Sequence, residues 1–112
     1  MCVFCSIINH EIPSKVVYED DQVLAILDIS QVTKGHTLVM PKKHVDNLLE
    51  CDDETAAHLI QVVKRLAKQI QDRTGALGIN ILNNNGEAAG QTVNHLHFHI
   101  IPRYSENDAF VC

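Results

Sequence analysis

No stretch of this chain gathers positive charge, none is long and apolar, and none repeats. Nine Lys and Arg stand against 14 Asp and Glu, a net charge of −5, with no basic run. A protein that follows a nucleic-acid backbone needs a basic face, so a polymeric nucleic-acid partner is excluded. A mononucleotide needs only a few aimed donors and is compatible with this balance. No segment approaches the ~20 apolar residues of a membrane span, so no membrane partner is expected. Met1-Cys2-Val3-Phe4-Cys5 has neither a basic region nor the apolar run of a secretory leader, so the expected location is cytoplasmic. Linkers and low-complexity tracts are absent too, and 112 residues suit one domain, 1–112. A domain this small buries roughly two thirds of its unfolded surface, so a metal or a second copy would add needed stability.

What is present is periodic. Ser6–Ile8 suits a short helical turn that Pro13 closes off. Val16-Val17-Tyr18 and Val23–Leu27 are β-rich and flank the acidic turn Glu19-Asp20-Asp21, which predicts a hairpin. Thr37–Met40 reads as a third strand ended by Pro41. From Asp53 the period changes to that of a helix face, with Ala56, Leu59, Ile60, Val63, Leu66, Ala67 and Ile70 in series. Asp52 is placed to cap its start and Gly75 to stop it. Ile79–Leu82 returns to strand character, Asn83–Asn94 is a Gly/Asn-rich loop, and His95–Ile101 alternates until Pro102. The expected fold is α+β: a mostly antiparallel five-stranded sheet with one main crossover helix.

The chemistry lies in histidine and cysteine. Alternation along a strand puts His95, His97 and His99 on one face and Leu96, Phe98 and Ile100 on the other. Three imidazoles in register do nothing obvious for a sheet's stability. They suit nucleophilic or acid–base chemistry, or a catalytic zinc held by two of them. Cysteines fall at 2, 5, 51 and 112, and Cys2-x-x-Cys5 reads as a metal or redox pair. Cys51 and Cys112 have no partner by spacing. His10 and His58 fall in no motif and read as solvated.

Asn84-Asn85-Gly86 followed by Gly90-Gln91-Thr92-Val93-Asn94-His95-Leu96-His97-Phe98-His99 resembles the histidine-triad (HIT) superfamily, nearest its bacterial Hint-like branch of nucleotide hydrolases. The resemblance continues through Asp28-Ile29-Ser30, Gly35-His36-Thr37 and Pro41-Lys42-Lys43-His44, and so spans nearly the whole chain. It implies a homodimer acting on a purine nucleotide, with His97 as the nucleophile that attacks the α-phosphorus. Imidazole is largely neutral near pH 7, so it attacks without a costly deprotonation. One ring nitrogen must be bare, so the other should donate to a backbone carbonyl.

By the same resemblance His99 contacts the phosphoryl oxygens and Thr92 lies near the leaving group. Asn84 touches the ribose–phosphate region, and Gly90, Gln91 and Thr92 offer backbone N–H groups to the anion. Asp28 accepts the ribose hydroxyls, Ile29 lies against the base, and His36 supports. Asn84, Thr92 and Asp28 are also ordinary turn formers, so each has a plainer role available. Relatives complete the cysteine pair with two histidines, which here implies a structural zinc on Cys2, Cys5, His44 and His95. They also often continue past the position of Cys112, with tails that reach the partner's site, so the pocket rim is expected to differ.

The implied activity is hydrolysis of purine nucleoside phosphoramidates through a nucleotidyl-histidine, with no metal in the chemical step. The alternatives are a diadenosine polyphosphate hydrolase with the same nucleophile, or a nucleotide-binding regulatory module whose catalysis is incidental.

Overall fold

The protein is described here from a computed structural model covering residues 2–105; Cys112 lies outside the described residues. The chain runs α1 (Val3–Ile8), β1 (Val16–Glu19), β2 (Val23–Leu27), β3 (Thr37–Pro41), α2 (Asp53–Thr74), β4 (Gly78–Leu82) and β5 (Phe98–Arg103). Single 3-10 turns form at Leu48–Glu50 and at Glu87–Ala89, the second within the stretch that reads as a loop. The sheet order is β1-β2-β3-β5-β4, and every neighbouring pair is antiparallel. α2 carries the chain from β3 over β5 to β4, so it is the one crossover among the described residues. The α+β expectation is met.

α2 forms because its ends and one face are both provided for. The Asp52 carboxylate accepts the Thr55 N–H at 2.9 Å, and Gly75 closes the helix at φ 73°, which a Cβ would disfavour. The buried series is Leu59, Val62, Val63, Leu66 and Ala67. Ile60, expected inside, is 46% exposed, and Val62 holds the inward position instead. One residue is 100° of helical turn, enough to move a side chain off a narrow stripe.

The sheet has two apolar faces. Val23, Ala25, Val39, Leu96, Phe98 and Ile100 pack under α2. Leu24, Ile26, Leu38 and Met40 point the other way and meet Phe4 of α1.

Three strand readings need correction. β3 includes Pro41, which pairs with Val23 at the strand's last position, where the missing N–H does least harm. β5 likewise runs through Pro102 to Arg103. More consequentially, β5 begins at Phe98, so His95 and His97 precede the strand. Here Leu96 N–H donates to the Val45 carbonyl at 2.8 Å, and Asn83 Nδ2 donates to the His97 carbonyl at 3.0 Å. Those bonds replace a ladder while leaving the in–out alternation intact.

His58 is not simply solvated. Its Nε2 lies 2.9 Å from Asp20 Oδ2, tying α2 to the β1–β2 turn. Asp20 also accepts Tyr18 Oη at 2.8 Å and the N–H groups of Gln22 and Val23 at 2.7 Å each. Burial alone would raise the Asp20 pKa, but these bonds outweigh it and pull it down to about 2. A depressed carboxylate stabilises fully above its unfolded value, and that stability disappears as pH falls from about 4 toward 2. Asp20→Asn should therefore cost about 2 kcal/mol near neutral pH and flatten this acid limb. Urea denaturation at pH 7 and pH 3 checks it; parallel losses in both proteins would contradict the assignment.

Candidate active site and metal-ligand cluster

Behind β2 and β3, on the α1 side of the sheet, lies a cavity of about 330 Å³. Val3, Phe4 and Ile7 wall one side; Asp28, His97 and His99 bring the polar groups. His97 is only 6% exposed, and its ring lies edge-on to Phe4 with centroids 5.0 Å apart. Its Nδ1–H donates to the His95 carbonyl at 2.7 Å. That bond fixes the tautomer and leaves Nε2 bare, as nucleophilic attack requires. Burial holds His97 below the usual histidine range, so the ring is neutral near pH 7.

A second relay sets the proton on His99. Val32 N–H donates to His36 Nδ1 at 3.2 Å, so the His36 proton sits on Nε2. That nitrogen is 2.9 Å from His99 Nδ1 and 3.6 Å from Asp28 Oδ2. His99 Nδ1 therefore accepts, and its proton sits on Nε2, a donor on a ring that lines the cavity. Burial first, then the neighbouring His97 and His36, pushes the His99 pKa down to about 4. Burial likewise lowers His36, against the pull of Asp28. Asp28, His36 and His99 cluster tightly enough for a metal ion. A metal on His36 Nε2 would force the proton onto Nδ1, against the Val32 N–H, so this wiring disfavours one.

His95 turns away from its neighbours. Fully buried, it donates Nε2–H to the Pro41 carbonyl at 2.8 Å and directs Nδ1 at Cys2 Sγ, 3.3 Å away, and Cys5 Sγ, 3.6 Å away. His44 Nδ1 lies 3.3 Å from Cys5 Sγ, while its Nε2 faces Asp46 Oδ1 at 3.1 Å. All four donor atoms fall within 4.8 Å of one another. Tetrahedral zinc with ordinary Zn–S and Zn–N bonds puts sulfur and nitrogen about 3.5 Å apart. The separations fit. Both imidazoles have the outer nitrogen engaged, which leaves the inner one bare for a metal. Burial, then the adjacent Cys2, raises the Cys5 thiol pKa, a penalty that a cation between the sulfurs reverses.

The HIT domain profile matches residues 9–106. Protein hit of Bacillus subtilis is 57% identical over 109 residues, covering 97% of this chain and 75% of that protein. The chain belongs to the histidine-triad family. An adenosine 5'-monophosphoramidase of Schizosaccharomyces pombe is 43% identical over 105 residues, 94% of this chain and 76% of that enzyme. A crystal structure of a HIT family member from Bacillus subtilis matches with TM-score 0.93 at 56% identity, covering 99% of this chain and 79% of that one. A zinc-bound histidine triad protein from Mycobacterium smegmatis matches with TM-score 0.91 at 42% identity, covering 97% of this chain and 80% of that one.

Within this HIT chain the other expected site residues separate. Thr92 lines the cavity. Ile29 stands at its mouth, fully exposed. Asp28 uses Oδ1 to accept the Ser30 N–H at 2.9 Å, so its turn role and its place in the cavity coexist. Asn84 packs against Gly90, where an added Cβ would lie 3.5 Å from its amide nitrogen.

Gln91 is buried and its amide is spent on the protein. Nε2 donates to the Asp46 and Val93 carbonyls at 2.6 and 2.9 Å, and Oε1 accepts the Gly86 N–H at 2.8 Å. The backbone N–H groups of Gly90 and Gln91 go to Glu87 and Gly86 carbonyls. Gln91 therefore staples the loop, and an anion nest built on these two N–H groups is not formed.

Two groups escaped the sequence reading. Phe4 lies in sequence between the two cysteines, yet its ring braces His97. Asn83 reads as the start of the loop, yet it holds the His97 carbonyl; Asn85 Nδ2 in turn donates to Asn83 Oδ1 at 2.7 Å. An Asn run directly after a strand was the available signal.

The relays make a spectroscopic prediction. Nitrogen-15 NMR of the imidazoles near pH 7 should show His97 protonated on Nδ1 and His99 on Nε2. His99 should stay neutral until pH nears about 4. The opposite tautomer at either ring would contradict the wiring.

Proposed function

We propose that this chain is a single-domain nucleoside phosphoramidase that cleaves purine nucleotide–amine bonds through a nucleotidyl-His97 intermediate. The observation that carries it is the bare Nε2 of a neutral, buried His97, set by the bond from its Nδ1 to the His95 carbonyl. His97 Nε2 forms a bond to the α-phosphorus as the P–N bond of the substrate breaks. The amine departs with a proton, assisted by the Thr92 hydroxyl. Negative charge on the non-bridging oxygens is met by the His99 Nε2–H, a donor already in place. Asp28 takes the ribose hydroxyls, and the apolar wall takes the base. Water then attacks phosphorus, releasing the monophosphate and restoring His97. The monophosphoramidase of Schizosaccharomyces pombe supports the choice of leaving group.

Cys2, Cys5, His44 and His95 are assigned to a structural zinc. With four protein ligands the metal would supply rigidity and take no part in the reaction. A homodimer fits the fold, in which β4 forms a sheet edge with Ile81 48% exposed.

Rapid-quench mass spectrometry with an adenosine phosphoramidate should place an adenylyl mass on the peptide holding His97. His97→Ala should abolish adduct and turnover together. Turnover without any adduct overturns the mechanism. Turnover of diadenosine polyphosphates alone reassigns the leaving group. Elemental analysis should find one zinc per chain, reduced severalfold or more in Cys5→Ser; full occupancy in that variant would remove Cys5 from the ligand set.

A further inference from the structure

The metal cluster and the nucleoside cavity share an element. α1 is a six-residue helix with Cys2 at its N-cap and Cys5 within it. From the same helix Val3, Phe4 and Ile7 face the cavity. Helices shorter than about 12 residues do not hold themselves together in water, so α1 depends on what it touches. Its apolar support is slight. Five buried residues, Phe4 included, make up the cluster on this face, against eleven in the cluster under α2. Val3 and nearby Ile12, both on the cavity wall, remain 43% and 40% exposed.

The other contact is the thiol pair, which meets His95 and His44. His95 is anchored independently, by Pro41 and by its place in the chain, whereas among the described residues α1 is otherwise held only by the apolar contacts of Phe4, Ile7 and Ile8 with the cluster on this face. Phe4 completes the link, with its ring 5.8 Å from that of His95 and 5.0 Å from that of His97.

We propose that zinc on Cys2, Cys5, His44 and His95 acts as the latch of the nucleoside pocket, holding α1 against the sheet so that Val3, Phe4 and Ile7 form the wall that binds the base. The metal thereby sets nucleotide affinity. The fold rests on the separate core under α2. This inference rests on the nucleotide reading of the cavity and adds to it a metal-dependent binding step.

The test compares zinc-loaded and chelator-stripped protein, with AMP titrated by calorimetry and backbone amides followed by hydrogen exchange. Stripping should raise the AMP Kd at least tenfold and speed exchange in residues 3–8, with the amides of α2 unchanged; added zinc should restore both. Phe4→Leu, with zinc still at one per chain, should weaken AMP severalfold, separating the wall from the ion.

Equal AMP affinity with and without metal overturns the proposal, whatever α1 exchange shows. So does global unfolding on stripping, which would make zinc a staple of the whole fold. Failure of the zinc-loaded protein to bind AMP at all refutes the nucleotide reading itself, and the latch with it.

Discussion

His95 makes three bonds that point three ways, and the site is organised around them. Its Nε2 donates to Pro41 at the end of β3, its Nδ1 faces the two sulfurs, and its carbonyl accepts from His97 Nδ1. A fully buried imidazole with one nitrogen unpartnered would be costly. Here the inner nitrogen faces the Cys2 and Cys5 sulfurs, and the bond of the outer one fixes which tautomer meets them. The backbone bond then passes that order to the neighbouring ring. The residue that resembles a member of a catalytic row is the joint between the row and the N-terminal helix.

The sheet separates stability from chemistry by face. One side is filled by Leu59, Val63 and Leu66 of α2 against Val39, Phe98 and Ile100. The other carries a thinner apolar layer interrupted by histidines, a carboxylate and a cavity. A close-packed core tolerates the burial of His36 and His97, and the half-burial of His99, beside it only because each ring has a hydrogen-bond partner. Asn83 does similar work from the end of β4, supplying by side chain the bond that a ladder would have given the His97 carbonyl.

The long helix was readable because period, cap and stop all agree, and its face was misjudged only at Ile60 and Val62. The hairpin and the central strands were readable from β-branched runs. The start of β5 was not. Alternation of apolar and polar residues persists from His95 onward, yet ladder bonding depends on what lies alongside, and here Val45 and Asn83 take those places. Gln91 looked like a ligand-facing residue because its string resembles a family motif. Its burial and three internal bonds show a loop staple. His58, without a motif, turned out to tie a helix to a hairpin.

Local sequence was enough to determine the α+β class, the apolar stripes, the histidine row and the cysteine pair, because these depend on spacing within one element. Tautomers, the direction of each imidazole and the meeting of Cys2 with His95 were decided by tertiary structure. A proton's place on a ring depends on which donor or acceptor faces its other nitrogen. For His36 that donor is four residues away in a loop, and for His95 the outer acceptor is 54 residues away. No periodicity in a chain records such a pairing; only the folded backbone brings the partners within bonding distance.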